Sequence, residues 1–133
     1  MKARIIFDTE ALLVFYLGER GADRVREYLE KVQRGEVEGM LNIINLTELY
    51  YIIFRKNSEI AEEKEANLRA YGVKMIPVPD GRLWKEAAKI KGRHALSLAD
   101  AFAVATAKTE KAQLVTGRDK EFEGLGIELM RIR

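Results

Sequence analysis

Short runs of apolar, largely β-branched residues alternate along this chain with longer, charge-bearing stretches that stop at glycine. That alternation excludes most architectures. The first run is Arg4-Ile5-Ile6-Phe7, followed by a helical stretch from about Glu10 to Leu17 that halts at Gly18. Ala22 to Arg34 places Val25, Tyr28, Leu29 and Val32 at helical spacing and ends at Gly35. A second strand is predicted from about Gly39 to Ile44, then a helix from Leu46 to Lys56 and a charged helix from Ser58 to Tyr71 closed by Gly72. Val73 to Val78 makes a third strand, and Pro77 and Pro79 mark it as an edge. Asp80 caps a helix reaching about Lys91, which Gly92 ends; Ser97 to about Glu110 is another helix. Ala112 to Thr116 and Ile127 to Ile132 are strands four and five. Strands joined through helices by short, punctuated connections mean βαβ units and a parallel sheet covered on both faces. The expected fold class is therefore α/β, a three-layer α/β/α arrangement, in one domain spanning residues 1–133, without internal repeat or linker.

Composition narrows the chemistry. Apolar residues make up 47% and charged residues 33%, enough to bury a core and too apolar for disorder. The absence of cysteine excludes disulfides, thiolate zinc sites and cysteine nucleophiles, and a single histidine, His94, excludes a histidine-rich metal centre. Any metal must be held by oxygen. A net charge of +2 permits a polyanionic partner without announcing one. Met1 to Leu17 carries Lys2 and Arg4 before apolar residues, as a signal peptide does, but Asp8 and Glu10 interrupt it. With no stretch long and apolar enough to span a bilayer, the expectation is a soluble, cytoplasmic protein.

In a parallel α/β sheet, ligands bind beyond the carboxyl ends of the strands. Four acids fall there: Asp8 at the end of strand one, Glu48 in the helix after strand two, Asp100 in the first turn of an alanine-rich helix, and Asp119 after strand four. Singly, three have ordinary explanations. Asn45-Leu46-Thr47-Glu48 and Ser97-Leu98-Ala99-Asp100 both read as capping boxes, and Asp119 as a turn residue. Asp8, following Ile-Ile-Phe at the end of a buried strand, has no cap to serve. Jointly the four point to a cation, because gathered carboxylates repel one another unless a positive ion holds them. Hard divalent ions such as Mg²⁺ and Mn²⁺ take such ligands, and they promote phosphodiester cleavage.

Four segments carry a family resemblance: Ile6-Phe7-Asp8-Thr9-Glu10-Ala11-Leu12; Asn45-Leu46-Thr47-Glu48-Leu49; Leu96-Ser97-Leu98-Ala99-Asp100 running on through Ala101 to Ala107; and Leu114-Val115-Thr116-Gly117-Arg118-Asp119-Lys120-Glu121-Phe122. In order and separation they resemble the PIN-domain ribonucleases, and among these the VapC toxins of prokaryotic toxin–antitoxin pairs. The resemblance covers essentially the whole chain. It implies a five-stranded parallel sheet in the order 3-2-1-4-5 and a Mg²⁺- or Mn²⁺-dependent endoribonuclease acting on RNA. It further implies metal ligation by Asp8, Asp100 and Asp119, with Glu48 bound directly or through water, Thr116 in support, and an antitoxin protein as partner. The fourth segment reads Thr116-Gly117-Arg118-Asp119, one residue longer than the family's Thr-x-Asp, leaving Glu121 as the nearest substitute for Asp119.

Other features are weaker. His94 sits between helices beside Lys89, Lys91 and Arg93, where a solvent-facing role outweighs that of a general base; the run Lys85, Lys89, Lys91, Arg93 suits RNA phosphates and a solvated face equally. The helix from Leu46 to Phe54 is apolar almost all round, more than one sheet covers, so its spare face is expected to form a homodimer interface with the antitoxin nearby. A receiver domain needs a phospho-acceptor Asp after strand three, and a haloacid-dehalogenase-type phosphatase needs Asp-x-Asp after strand one; Pro77-Val78-Pro79 and Asp8-Thr9-Glu10 fit neither. The serious rival is a non-catalytic PIN-fold module that binds RNA or protein without cutting.

Overall fold

The strand β1 (Ala3–Phe7) is the middle of a five-stranded sheet, and everything that positions the acidic residues follows from its place there. The computed structural model describes residues 2–78, 81–117 and 119–133. In chain order, β1 is followed by α1 (Thr9–Leu17), α2 (Ala22–Gln33), β2 (Val37–Asn42), α3 (Ile43–Phe54), α4 (Ser58–Tyr71), β3 (Lys74–Ile76), α5 (Gly81–Arg93), α6 (Leu98–Glu110), β4 (Gln113–Thr116), α7 (Asp119–Phe122) and β5 (Leu129–Arg131). The order across the sheet is β3-β2-β1-β4-β5 and every pairing is parallel, as the resemblance implied. Ile6 of β1 lies opposite Met40 of β2 and Leu114 of β4, so the chain leaves β1 toward one flank and returns for β4 on the other. Such a switch in strand order opens a crevice at the carboxyl edge.

The period-two alternation of strands divides the core in two. Ile5 and Phe7 of β1, Leu41 of β2 and Val115 of β4 pack against α1, α2, α3 and α4 on one face. Ile6, Met40 and Leu114 point the other way, onto α5 and α6. The helical layer on the first of these faces presses close to the sheet: at Gly39 a Cβ would come within 2.5 Å of Val32 Cγ2 on α2 and 3.3 Å of Phe7 Cε2, so only glycine fits. Among the described residues no helix is long and apolar enough to cross a membrane.

Several boundaries differ from those the sequence predicts. β2 ends at Asn42, and the β-branched pair Ile43-Ile44 forms the first turn of α3 instead of continuing the strand. Asn42 causes this: its Oδ1 accepts the Ile44 amide at 2.8 Å, turning the backbone into the helix. Asn45 is therefore not an N-cap, and Glu48, in the second turn of α3, takes no part in a capping box there. α5 runs through Gly92 to Arg93, because Lys91 Nζ donates to the Leu96 carbonyl at 2.9 Å and ties the helix end to the next turn. The short α7 was not expected. Asp80, read as a cap, lies outside the described residues. The third strand is indeed an edge, shortened to three residues.

Candidate active site

Asp8 is carried to the carboxyl edge by the central strand of the sheet, and its side chain is fully enclosed. It does serve a cap, contrary to the sequence reading. α1 begins at the very next residue, and Asp8 Oδ1 accepts the Ala11 amide at 2.7 Å. Its own amide donates to Val115 of β4 at 3.2 Å. Oδ2 is buried and has no hydrogen-bond partner. Burial lifts the Asp8 carboxyl from 3.8 to about 7; hydrogen bonding from Thr116 and the Ala11 amide pulls it back, while the nearby charges of Glu10 and Asp100 push it up. A carboxylate with one oxygen satisfied, the other bare and a proton affinity near neutrality is short of a positive charge.

Asp100 reaches the same place from the other helical layer. Ser97 caps α6 and accepts the Asp100 amide at 3.1 Å, as expected, leaving the Asp100 side chain 93% buried (7% exposed) in the first turn. Thr116, at the end of β4, is fully buried beside Asp8. Glu48 is half-buried on α3. Among the described residues, the carboxylates whose charges bear on Asp8 are Glu10 and Asp100. Asp119 opens α7, but its side chain, like Arg118, lies outside the described residues. Glu121 is exposed on the same short helix. His94 is exposed in the turn after α5, and Lys91 is held by the Leu96 carbonyl, which removes it from a free phosphate-binding row.

Asn45 connects these turns, a role its sequence position did not reveal. It is fully buried within α3, and its Nδ2 donates both to Thr9 Oγ1 at 3.2 Å and to the Ala99 carbonyl at 3.0 Å. Thr9 directly follows Asp8, and Ala99 directly precedes Asp100. Thr9 Oγ1 in turn donates to the Asn45 carbonyl at 3.3 Å. One amide side chain thus ties the Thr9 hydroxyl next to Asp8 to the Ala99 carbonyl next to Asp100, and Glu48 stands three residues further along the same helix. Asn42 adds a parallel tie, donating to Thr106 Oγ1 at 2.9 Å and joining β2 to α6. A polar residue three places before Glu48 in an otherwise apolar helix was the available signal.

Among the described residues no group of three or more acids or histidines is close enough to hold a metal ion. The bare Oδ2 of Asp8, a carboxyl that feels the charge of Asp100, nevertheless fits a hard divalent cation: the donors are oxygen, one is unpartnered, and the neighbouring charge is negative. A depression of about 730 Å³ lies away from this edge, at the opposite, amino ends of β1 and β4, where Lys2, Arg4, Lys108 and Lys111 help line it.

The family model for the PIN domain matches residues 5–128 of this chain. The chain belongs to the PIN domain family. No curated protein matches it by sequence. Solved structures share the PIN fold over nearly the full length. A chain of a toxin–antitoxin complex from Klebsiella pneumoniae aligns with a TM-score of 0.73 at 19% identity, covering 97% of this chain and 98% of its own. A chain of VapBC2 from Rickettsia felis, bound to a promoter DNA fragment, aligns with a TM-score of 0.76 at 17% identity, covering 96% and 98%. A chain of DNA-bound VapBC from Salmonella typhimurium gives 0.75 at 14% identity, covering 98% and 99%. At these identities the likeness is one of fold, and this PIN domain's chemistry rests on its own residues.

Proposed function

We propose that this PIN domain is a Mg²⁺- or Mn²⁺-dependent endoribonuclease of the VapC type, the toxin of a toxin–antitoxin pair. The observation that carries the reading is the buried, half-unpartnered Asp8 beside Asp100 at the carboxyl edge of the sheet. Asp8, Asp100 and Asp119 would hold the ion, with Glu48 bound directly or through water and Thr116 and Asn45 orienting the ligands. When bound, such an ion supplies an activated water and neutralises charge at the phosphate under attack. The protein's part is positional. Ser97 fixes the turn that presents Asp100, the Ala11 amide fixes one oxygen of Asp8 and leaves the other unpartnered, and Asn45 holds both turns together. A non-catalytic module would keep a buried, unpartnered carboxyl oxygen without use for it.

Two further parts of the reading concern partners. The solved neighbours include toxin–antitoxin complexes, which supports an antitoxin as the partner of this chain. The exposed side of α3, with Ile43, Tyr51 and Phe54 open to solvent, supports a homodimer through that helix. The deciding experiment is cleavage of single-stranded RNA by purified protein with Mg²⁺ or Mn²⁺ and with excess chelator. Cleavage should need the ion, leave 5′-phosphate and 3′-hydroxyl ends, and vanish in Asp100→Asn. Undiminished activity in chelator, or cyclic phosphate ends, overturns it.

A further inference from the structure

Two residues past β5, Arg133 folds back onto the acidic edge. Its Nη2 meets Glu10 Oε1 at 2.8 Å, and Glu10 lies in the same first turn of α1 that Asp8 caps. The backbone beside it is anchored, since the Ile132 amide donates to the Thr116 carbonyl at 3.3 Å. The segment just after Thr116 makes room for the guanidinium. A Cβ at Gly117 would stand 3.1 Å from Arg133 Nε, 3.2 Å from Nη2 and 3.5 Å from Glu10 Oε1. Gly117 does not have a positive φ, so its backbone conformation does not require glycine; the close approach of the guanidinium is what a side chain would crowd.

An ion pair whose side chains remain 33% and 23% exposed contributes little to stability, so holding the fold together is a poor account of it. Its position suggests another use. A phosphodiester approaching Asp8, Glu10 and Asp100 meets negative charge, and a planar guanidinium at the rim offers several donors in a fork that matches phosphate oxygens. We propose that Arg133, held by Glu10 against Gly117, is a substrate-binding residue that takes a phosphate of the bound RNA. The assignment rests on the ribonuclease reading above and names the side chain that seats its substrate. Glu10 sets the guanidinium in place before RNA arrives, which reduces the ordering cost of binding.

The test uses the full chain carrying Asp100→Asn, so that RNA is bound without being cut. Affinity for a labelled single-stranded RNA of mixed sequence is measured by fluorescence anisotropy across a salt series with Mg²⁺ present. Adding Arg133→Gln should weaken binding about tenfold, as for loss of one charge-assisted forked contact. The slope of log affinity against log salt should flatten by about 0.7, the value for one phosphate contact on a single strand. Arg133→Lys should restore the slope but not the full affinity, because a lysine is a point charge. In the active background, Arg133→Gln should raise KM and leave kcat nearly unchanged. An unchanged affinity and slope with only a lowered melting temperature makes the pair a structural staple and overturns the assignment. If the wild-type chain cuts no RNA and the Asp100→Asn parent binds none, the ribonuclease reading itself falls and takes this one with it. That failure shows in the parents, whereas failure of the Arg133 assignment alone shows only in the comparison with Arg133→Gln.

Discussion

Replacing Asp8 with asparagine should stabilise the metal-free protein at neutral and alkaline pH while destroying its function. The side chain is fully buried, and its carboxyl is lifted from 3.8 to about 7, chiefly by burial. Between those two values the folded protein keeps a proton that the unfolded chain has lost, so stability falls as pH rises through that window and the whole penalty is present above about pH 7. The difference corresponds to at most about 4 kcal/mol between neutral and ionised forms. Asparagine has the same shape, remains a good N-cap for the Ala11 amide and never ionises. In chelator, Asp8→Asn and the wild type should therefore melt together near pH 4 and diverge above it, by about 10 °C at pH 8 for a domain of this size. Mg²⁺ or Mn²⁺ at pH 8 should raise the wild-type melting temperature and leave the variant unmoved, since ligand stabilises only what binds it. The assay is thermal unfolding by circular dichroism across pH, with and without ion. Parallel wild-type and variant profiles would refute the reasoning, for they would mean that Asp8 bears no buried charge worth relieving.

Other outcomes follow from single contacts. Asn45→Leu removes both donors that tie Thr9 and Ala99, and should cost about 2 kcal/mol in urea unfolding while also lowering Mn²⁺ affinity in a calorimetric titration; lost stability with unchanged affinity would make Asn45 purely structural. Tyr51→Lys and Phe54→Glu change side chains 44% and 51% exposed, so both variants should fold, and light scattering should find them monomeric; folded dimers would place the interface elsewhere.

The fold was largely legible in the sequence because its strands are bounded apolar runs. Ile5-Ile6-Phe7 and Leu114-Val115 admit no helical face, and α4 carries both of its stop signals, Asn57 before it and Gly72 after it. The β2–α3 junction was misjudged because β-branched propensity at Ile43-Ile44 points to strand, while the decision belongs to Asn42. Asn42 and Asn45 look alike as caps three residues apart. The pairing of Asn42 with Ile76 of β3 fixes where the strand stops, and only the folded sheet contains that information. At the candidate site, Asp8 and Asp100 could be picked out because one follows a recognisable strand and the other lies in the first turn of a recognisable helix. The cap that Asp8 makes was missed, since Asp8 is itself the single residue between β1 and α1. The Glu10–Arg133 pair joins residues 123 apart in sequence, beyond the reach of any spacing argument.

The central position of β1 also dictates when this protein can become competent during its own synthesis. β1 is made before either of its partners, and one flank finds its partner first, in β2. Its other partner is β4, and Thr116, the buried neighbour of Asp8, ends that strand. At ordinary translation rates the stretch between them takes about 5 to 20 seconds to emerge. Throughout that interval the inner strand of the finished sheet is an open edge, and the crevice has only one wall. β5, which pairs with β4 and leads to Arg133, arrives later still. Asp8 therefore meets Thr116 only after β4 has been made, and the exposed flank of β1 is where a product truncated before β4 would aggregate.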